Sequence, residues 1–261
     1  MPWQVNPVGP DRYQGYGADG AVGRVFGGQV AAQALAAACA DLDGAAPRSV
    51  HARFVREGRS AHPIDYAVER LGAHHRRVIA AQLDRTILTL DVVYGPTRQV
   101  PPRAPAPDPA GWAPTSTAEA AWLDGLARRM AFDFRFEARP TLLSGRRGEA
   151  VDGQRFWLRT TEPLPDLVGP HVCAVTYISD LLMVSTALAR HGLAGTSPGV
   201  QSASIDHAVW FHGPFRADEW LRYEQACPTA AHGRGLCEGE LVTAAGAPVA
   251  TVRQEVLLRT A

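Results

Sequence analysis

The chain has 261 residues, 46% hydrophobic, 8% aromatic and 20% charged, which excludes disordered, collagen-like and coiled-coil classes. Lys+Arg and Asp+Glu number 26 each, so the formal charge is zero and the broad basic field that nucleic-acid binding needs is missing. The basic residues are arginines and alanine is abundant; high-GC codon usage explains both, so arginine richness is no sign of phosphate binding.

In chain order, the first predicted element is a helix over residues 28–42, rich in Ala, Leu and Val and preceded by Gly27 and Gly28. Strands follow over 50–56, 64–71, 76–83 and 87–94, each rich in Val, Ile, Tyr or Phe and bounded by Gly, Pro, His or Asp. Residues 100–114 are too dense in proline for helix or central strand and form an extended connector. Residues 130–138 alternate apolar and polar, and 155–161 continue as strand. A long apolar helix covers 172–190, closed by His191 and Gly192. Strands over 204–211, 220–227, 235–243 and 248–259 complete the chain, the last hairpin turning at Ala244-Ala245-Gly246-Ala247.

Helix then four strands therefore occurs twice, a weak internal duplication. Val50-His51-Ala52-Arg53-Phe54 lies over Asp206-His207-Ala208-Val209-Trp210 when His51 is set on His207, and Ala73-His74-His75-Arg76 resembles Ala231-His232-Gly233-Arg234. One helix per four or five antiparallel strands implies an α+β fold, each sheet curled around a helix whose small side chains allow close contact. The halves are residues 1–99 and 118–261, with 100–117 as linker, and pairing their sheets would remove an open edge.

Asp180 is the most informative position, because its helix is apolar on nearly every side and a lone buried carboxylate is costly. It either faces one wet side or caps a loop, or serves as a general base beside a reaction site. Ser204 opens a strand and Gln254 sits in the last one; each reads alone as a strand-edge hydroxyl or an outward polar residue, and with Asp180 they could hold one water. Val25-Phe26-Gly27-Gly28-Gln29 is a tight turn into the helix, or a place where a ligand carbonyl meets backbone N–H groups at the helix start.

Other patterns fail on physical grounds. Gly195-Thr196-Ser197-Pro198-Gly199 matches a nucleophile elbow, but Pro198 lacks the N–H that the elbow needs. Adjacent His74 and His75 face opposite ways on a strand, as do Asp206 and His207, and no metal-ligand spacing appears, so these histidines read as packed or solvated and neither metal nor cofactor is expected. Cys39, Cys173, Cys227 and Cys237 form no framework and read as buried thiols. Without a signal peptide or an uninterrupted apolar run long enough for a bilayer, a cytoplasmic protein with no membrane span is expected.

Four stretches resemble the acyl-CoA thioesterase II family of double-hotdog proteins. They begin at Arg24-Val25-Phe26-Gly27-Gly28-Gln29, Tyr177-Ile178-Ser179-Asp180-Leu181, Ser204-Ile205-Asp206-His207-Ala208-Val209-Trp210-Phe211 and Gln254-Glu255, in family order. The resemblance implies a double hotdog and hydrolysis of an acyl-CoA thioester to free acid and coenzyme A. The family's Asp, Thr and Gln trio falls on Asp180, Ser204 and Gln254, with Ser in place of Thr; Gly27, Gly28 and Gln29, read above as substrate-binding, lie in the first matched stretch. Neutral Gln33 stands in the first helix where the second carries Asp180, which implies one competent site per chain. A hotdog hydratase, whose Asp-x-Asn-Pro-x-His type of motif is not found, and a non-catalytic acyl-CoA or lipid-binding module remain the alternatives; self-association through exposed sheet faces is expected in any case.

Overall fold

The computed structural model describes residues 1–17, 23–41, 46–96, 101–102, 104–105, 111–143, 153–193, 197 and 199–260. Among them the first half comprises β1 (Asn6–Gly9), β2 (Arg12–Gly15), α1 (Gly27–Cys39), β3 (Pro47–Phe54), β4 (Ile64–Gly72), β5 (His75–Gln82) and β6 (Arg85–Tyr94). The second comprises α2 (Thr117–Met130), β7 (Phe132–Phe136), β8 (Gly153–Thr160), α3 (Val168–Ser179), α4 (Met183–Ala189), β9 (Val200–Ser204), β10 (Asp206–Phe211), β11 (Leu221–Ala231), β12 (Arg234–Thr243) and β13 (Pro248–Thr260). Residues 100, 103 and 106–110 of the proline connector and residues 195, 196 and 198 of the 195–199 segment lie outside the described residues.

The expected two sheets join edge to edge as one antiparallel sheet, ordered β1-β2-β4-β5-β6-β3-β10-β13-β12-β11-β8-β7, with β9 also on β13. Counted outward from the β3–β10 seam, the halves repeat one order: β3-β6-β5-β4-β2-β1 and β10-β13-β12-β11-β8-β7. Each curls around its own helix, α1 against β4, β5 and β6, and α4 against β11, β12 and β13. This is a double hotdog, as the resemblance implied, with each sheet curled around a helix as the element order predicted.

The residue-level match between the halves does not hold. Across the seam His207 pairs with Ala52 and Ala208 with His51. Directly opposed residues share a face, so His207 points into the core with Ala52 while His51 points outward, its ring edge-on to Trp210. The likeness of the two His-Ala pairs is a coincidence one residue out of phase, although the paired His-containing turns do occupy the same hairpin, β4–β5 and β11–β12.

Small residues let the central helices meet. Ala31, Ala32, Ala34, Ala37 and Ala38 are buried along α1, and its first turn packs on the end of α3. A Cβ on Gly28 would stand 2.2 Å from the Tyr177 carbonyl oxygen, so only glycine fits there. Trp3, from the N-terminal arm, crosses into the other half and packs on Tyr177 and Phe132.

Two local departures shape the second half. The single helix expected over 172–190 starts earlier, at Val168, and is broken between Ser179 and Met183, where Leu182 adopts a left-handed φ of 66°. That conformation costs about 1–2 kcal/mol, and three side chains from two strands, β8 and β11, offset it. Tyr223 Oη donates to the Ser179 carbonyl (2.7 Å) and Gln225 Nε2 to Leu181 (2.7 Å), while Gln154 Nε2 adds a longer bond (3.4 Å) to the Leu182 carbonyl, which keeps its helical partner Thr186 N–H. The broken segment, Val168–Ala189, has the length and hydropathy of a membrane span, contrary to the sequence reading, but 89% of its most apolar window is buried inside the fold.

The strand expected over 204–211 is interrupted too. Ser204 pairs with Val256 whereas Ala208 pairs with Arg253, so Ile205 is an extra residue against β13. Glu255 N–H, displaced from the regular ladder, is taken by Asp206 Oδ1 at 3.0 Å. This is a β-bulge, and it changes which side chains share a face.

Candidate active site

Asp180 caps the C-terminal end of α3, where the helix break turns its side chain toward α1. It is 6% exposed, and none of the ion pairs among the described residues includes it. Oδ2 accepts the Gly28 backbone N–H at 2.9 Å and Oδ1 accepts the Ser204 hydroxyl at 3.0 Å. The break in α3 and the glycine contact thus hold a carboxylate at the joint between the halves.

Ser204 Oγ in turn accepts Gln254 Nε2 at 2.9 Å. The three residues singled out from sequence therefore form one chain of bonds. Their order differs from a shared clasp on one water: Asp180 and Ser204 line the adjoining cavity of about 700 Å³, while Gln254, fully buried, stands behind Ser204. Gln254 acts on the site through the serine.

The glycine turn also differs from expectation. The Gly28 amide is given to Asp180 rather than to open cavity, the Gln29 amide goes to Phe26 O at 3.0 Å, and the Gln29 side chain donates to Pro2 O and Tyr16 O. Gly27 lines the cavity at the start of α1, and a Cβ on it would lie 2.8 Å from Asp180 Oδ2. The remaining walls combine Arg24, Arg56 and Arg129 with aliphatic Leu142, Val184 and Leu188.

Gln33 stays apart from this site. Nε2 donates to Pro2 O and Tyr16 O at 2.9 Å each, and Oε1 accepts Tyr66 Oη at 2.7 Å, so its polar atoms are spent on tying the N-terminal arm to α1.

His207, set aside on sequence because strand neighbours face opposite ways, lies inside the network. Nδ1 is 2.5 Å from Gln254 Oε1 and Nε2 is 2.7 Å from Ser179 Oγ. Burial holds its imidazole below the usual histidine range, against the opposing pull of the Asp180 charge and the Gln254 bond. The bulge at Ile205 is what sequence periodicity missed: in a regular strand, Ser204 and His207 would face opposite sides, and the extra residue brings both to Gln254. The Asp206 side chain capping the bulge was the one local hint.

Residues 126–257 match the family model described as acyl-CoA thioesterase, and residues 18–90 match that of the acyl-CoA thioesterase N-terminal domain. Acyl-CoA thioesterase 2 of Haemophilus influenzae is 31% identical over 90% of this chain and 88% of its own. Acyl-coenzyme A thioesterase 8 of Mus musculus is 31% identical over 90% of this chain and 80% of its own. The crystal structure of an acyl-CoA thioesterase II from Mycobacterium marinum superposes with a TM-score of 0.79 at 31% identity, covering all of this chain and 97% of that one. With both halves matched in order and the fold shared end to end, the chain belongs to the acyl-CoA thioesterase II family of thioester hydrolases.

Proposed function

We propose that this protein hydrolyses an acyl-CoA thioester by direct attack of a water that Asp180 deprotonates. The water sits in the cavity between Asp180 and Ser204, the serine fixed from behind by Gln254. As the carbonyl carbon is attacked, the oxyanion develops at the start of α1, where Gly27 lines the cavity and the positive end of the helix dipole favours negative charge. Collapse of the tetrahedral species breaks the C–S bond, and coenzyme A leaves as a thiolate that needs no metal to depart. The free acid is the other product. The cavity walls suit such a substrate, with aliphatic side chains for an acyl group and arginines for phosphates. A cytoplasmic setting and self-association belong to the same proposal.

One observation carries this reading: a buried carboxylate, outside any ion pair among the described residues, opens on a substrate-sized cavity with a serine hydroxyl bonded to it. A general base contributes about 10²- to 10⁴-fold. Release of thiol from a panel of acyl-CoAs, followed with a thiol-reactive dye, is expected for the native protein and should fall by about that factor in Asp180→Asn. Tight acyl-CoA binding without thiol release would instead identify a binding module, and full turnover by Asp180→Asn would remove the carboxylate from the chemistry.

A further inference from the structure

A primary amide has two nearly isosteric orientations, and the site tolerates only one. If Gln254 turned Oε1 toward Ser204, the hydroxyl would donate to that oxygen and its bond to Asp180 would be lost. Nothing on Ser204 itself chooses between the two orientations, since a hydroxyl both donates and accepts. Asp180, which accepts the one serine hydrogen, favours Nε2 toward Ser204, and a second constraint lies on the opposite side of the amide, where His207 Nδ1 is 2.5 Å from Oε1.

We propose that His207 is a positioning residue: neutral and protonated on Nδ1, it locks the Gln254 amide with Nε2 toward Ser204, so that the serine hydroxyl is directed to Asp180. The hydrogen positions follow from the partners. Oε1 can only accept, so Nδ1 must donate; a neutral ring then leaves Nε2 as an acceptor. Of the two acceptors beside the single Ser179 hydroxyl hydrogen, Nε2 at 2.7 Å and the Thr176 carbonyl at 3.1 Å, the nearer ring nitrogen takes it. The bonds run in one direction, from Ser179 Oγ to His207 Nε2, from Nδ1 to Gln254 Oε1, from Nε2 to Ser204 Oγ and from that hydroxyl to Asp180 Oδ1. Ser179 and Asp180 are adjacent, so the chain begins and ends on the break of α3, and the Ile205 bulge puts His207 and Ser204, on either side of Gln254, on one face. Sealed at 1% exposure, His207 touches neither cavity nor substrate and acts through Gln254 alone.

The inference rests on Asp180 being the base, and the test separates the two. His207→Leu fills the space without a donor; His207→Asn keeps an N–H near the place of Nδ1 and loses the reach to Ser179. His207→Leu should lower kcat about 10- to 100-fold with KM little changed, as loss of an orienting partner does. His207→Asn should recover most of the turnover even if it melts as early as the leucine variant. Full turnover by folded His207→Leu, or an asparagine variant as slow as the leucine one, would overturn the inference while Asp180→Asn still marks the base. Should the leucine variant not fold, the ¹⁵N spectrum of native His207 decides: a protonated Nδ1 with a bare Nε2 supports the lock, and the reverse tautomer overturns it.

Discussion

The two halves share one strand order and one helix-in-sheet plan, and β-bulges interrupt the ladders of both, yet among the described residues only the second breaks its central helix. In the first, α1 runs unbroken, and β3 pairs with β6 in continuous register from Ser49 to Phe54, its core-facing Ala52 beside Leu90. At the corresponding place on the other side of the seam stand His207 and Gln254. The second half also breaks its helix at Asp180 and bulges its strand at Ile205. Those departures would be costly alone; the glutamines and tyrosine that bond the carbonyls at the helix break make them tolerable. Symmetry supplies the scaffold, and the site lies where one half gives it up.

Reciprocal substitutions break the comparison most strongly. Gln33→Glu would put a carboxylate oxygen against the carbonyls of Pro2 and Tyr16, in a place with no cation among its partners. It should cost about 3–5 kcal/mol, read by urea unfolding, and should restore no thiol release to an Asp180→Asn chain. Turnover regained by that double variant would mean that the first half holds a dormant site. Gly28→Ala tests the joint between the halves: its Cβ would meet the Tyr177 carbonyl, forcing α1 away from α3 and the amide from Asp180. The expected loss is about 1–3 kcal/mol of stability, together with reduced kcat, and an unaltered kcat would show that the Gly28 bond does not matter to the base.

The smallest effect concerns pH. Burial holds His171, His207 and His212, all in the second half, below the usual histidine range near 6.5. Below that value the unfolded chain binds more protons than the folded one. Stability is therefore complete above it and falls as pH drops toward the folded-state values, by up to about 1.4 kcal/mol per pH unit for sealed His207 and less for half-buried His212. Urea midpoints at pH 7.5 and 5.5 should show the loss, and His207→Asn should flatten it. A midpoint independent of pH would count against a neutral buried imidazole.

Much of this architecture was legible in the sequence. α1, β3 to β6 and β11 to β13 fall within a few residues of their expected spans, because period-two alternation and Gly, Pro and Asp breakers mark them. Asp180, Ser204 and Gln254 stood out as polar residues in apolar surroundings, and they do converge. The helix break at Leu182 was not readable, since its stabilising partners Gln154, Tyr223 and Gln225 arrive from distant strands. The same holds for Ile205, whose bulge is defined only against β13. Helix α2 was overlooked despite a local signal: Ser116 accepts the Glu119 N–H at 3.2 Å, and Glu119 reaches back to Thr115 N–H at 2.8 Å. Strands β1 and β2, short and largely exposed, carry too few apolar residues to announce themselves.

The seam between β3 and β10 carries a consequence for how such a protein holds together. Either half made alone would leave a bare edge there, with unpaired N–H and C=O groups ready to capture another chain. The Asp180 carboxylate in the C-terminal half would also lack the amide that anchors it, since Gly28 belongs to the other. Structural integrity and competence for hydrolysis are thus tied together in the intact polypeptide: separating the halves would expose the edge and strip Asp180 of its amide, and one continuous chain keeps the asymmetric pair matched.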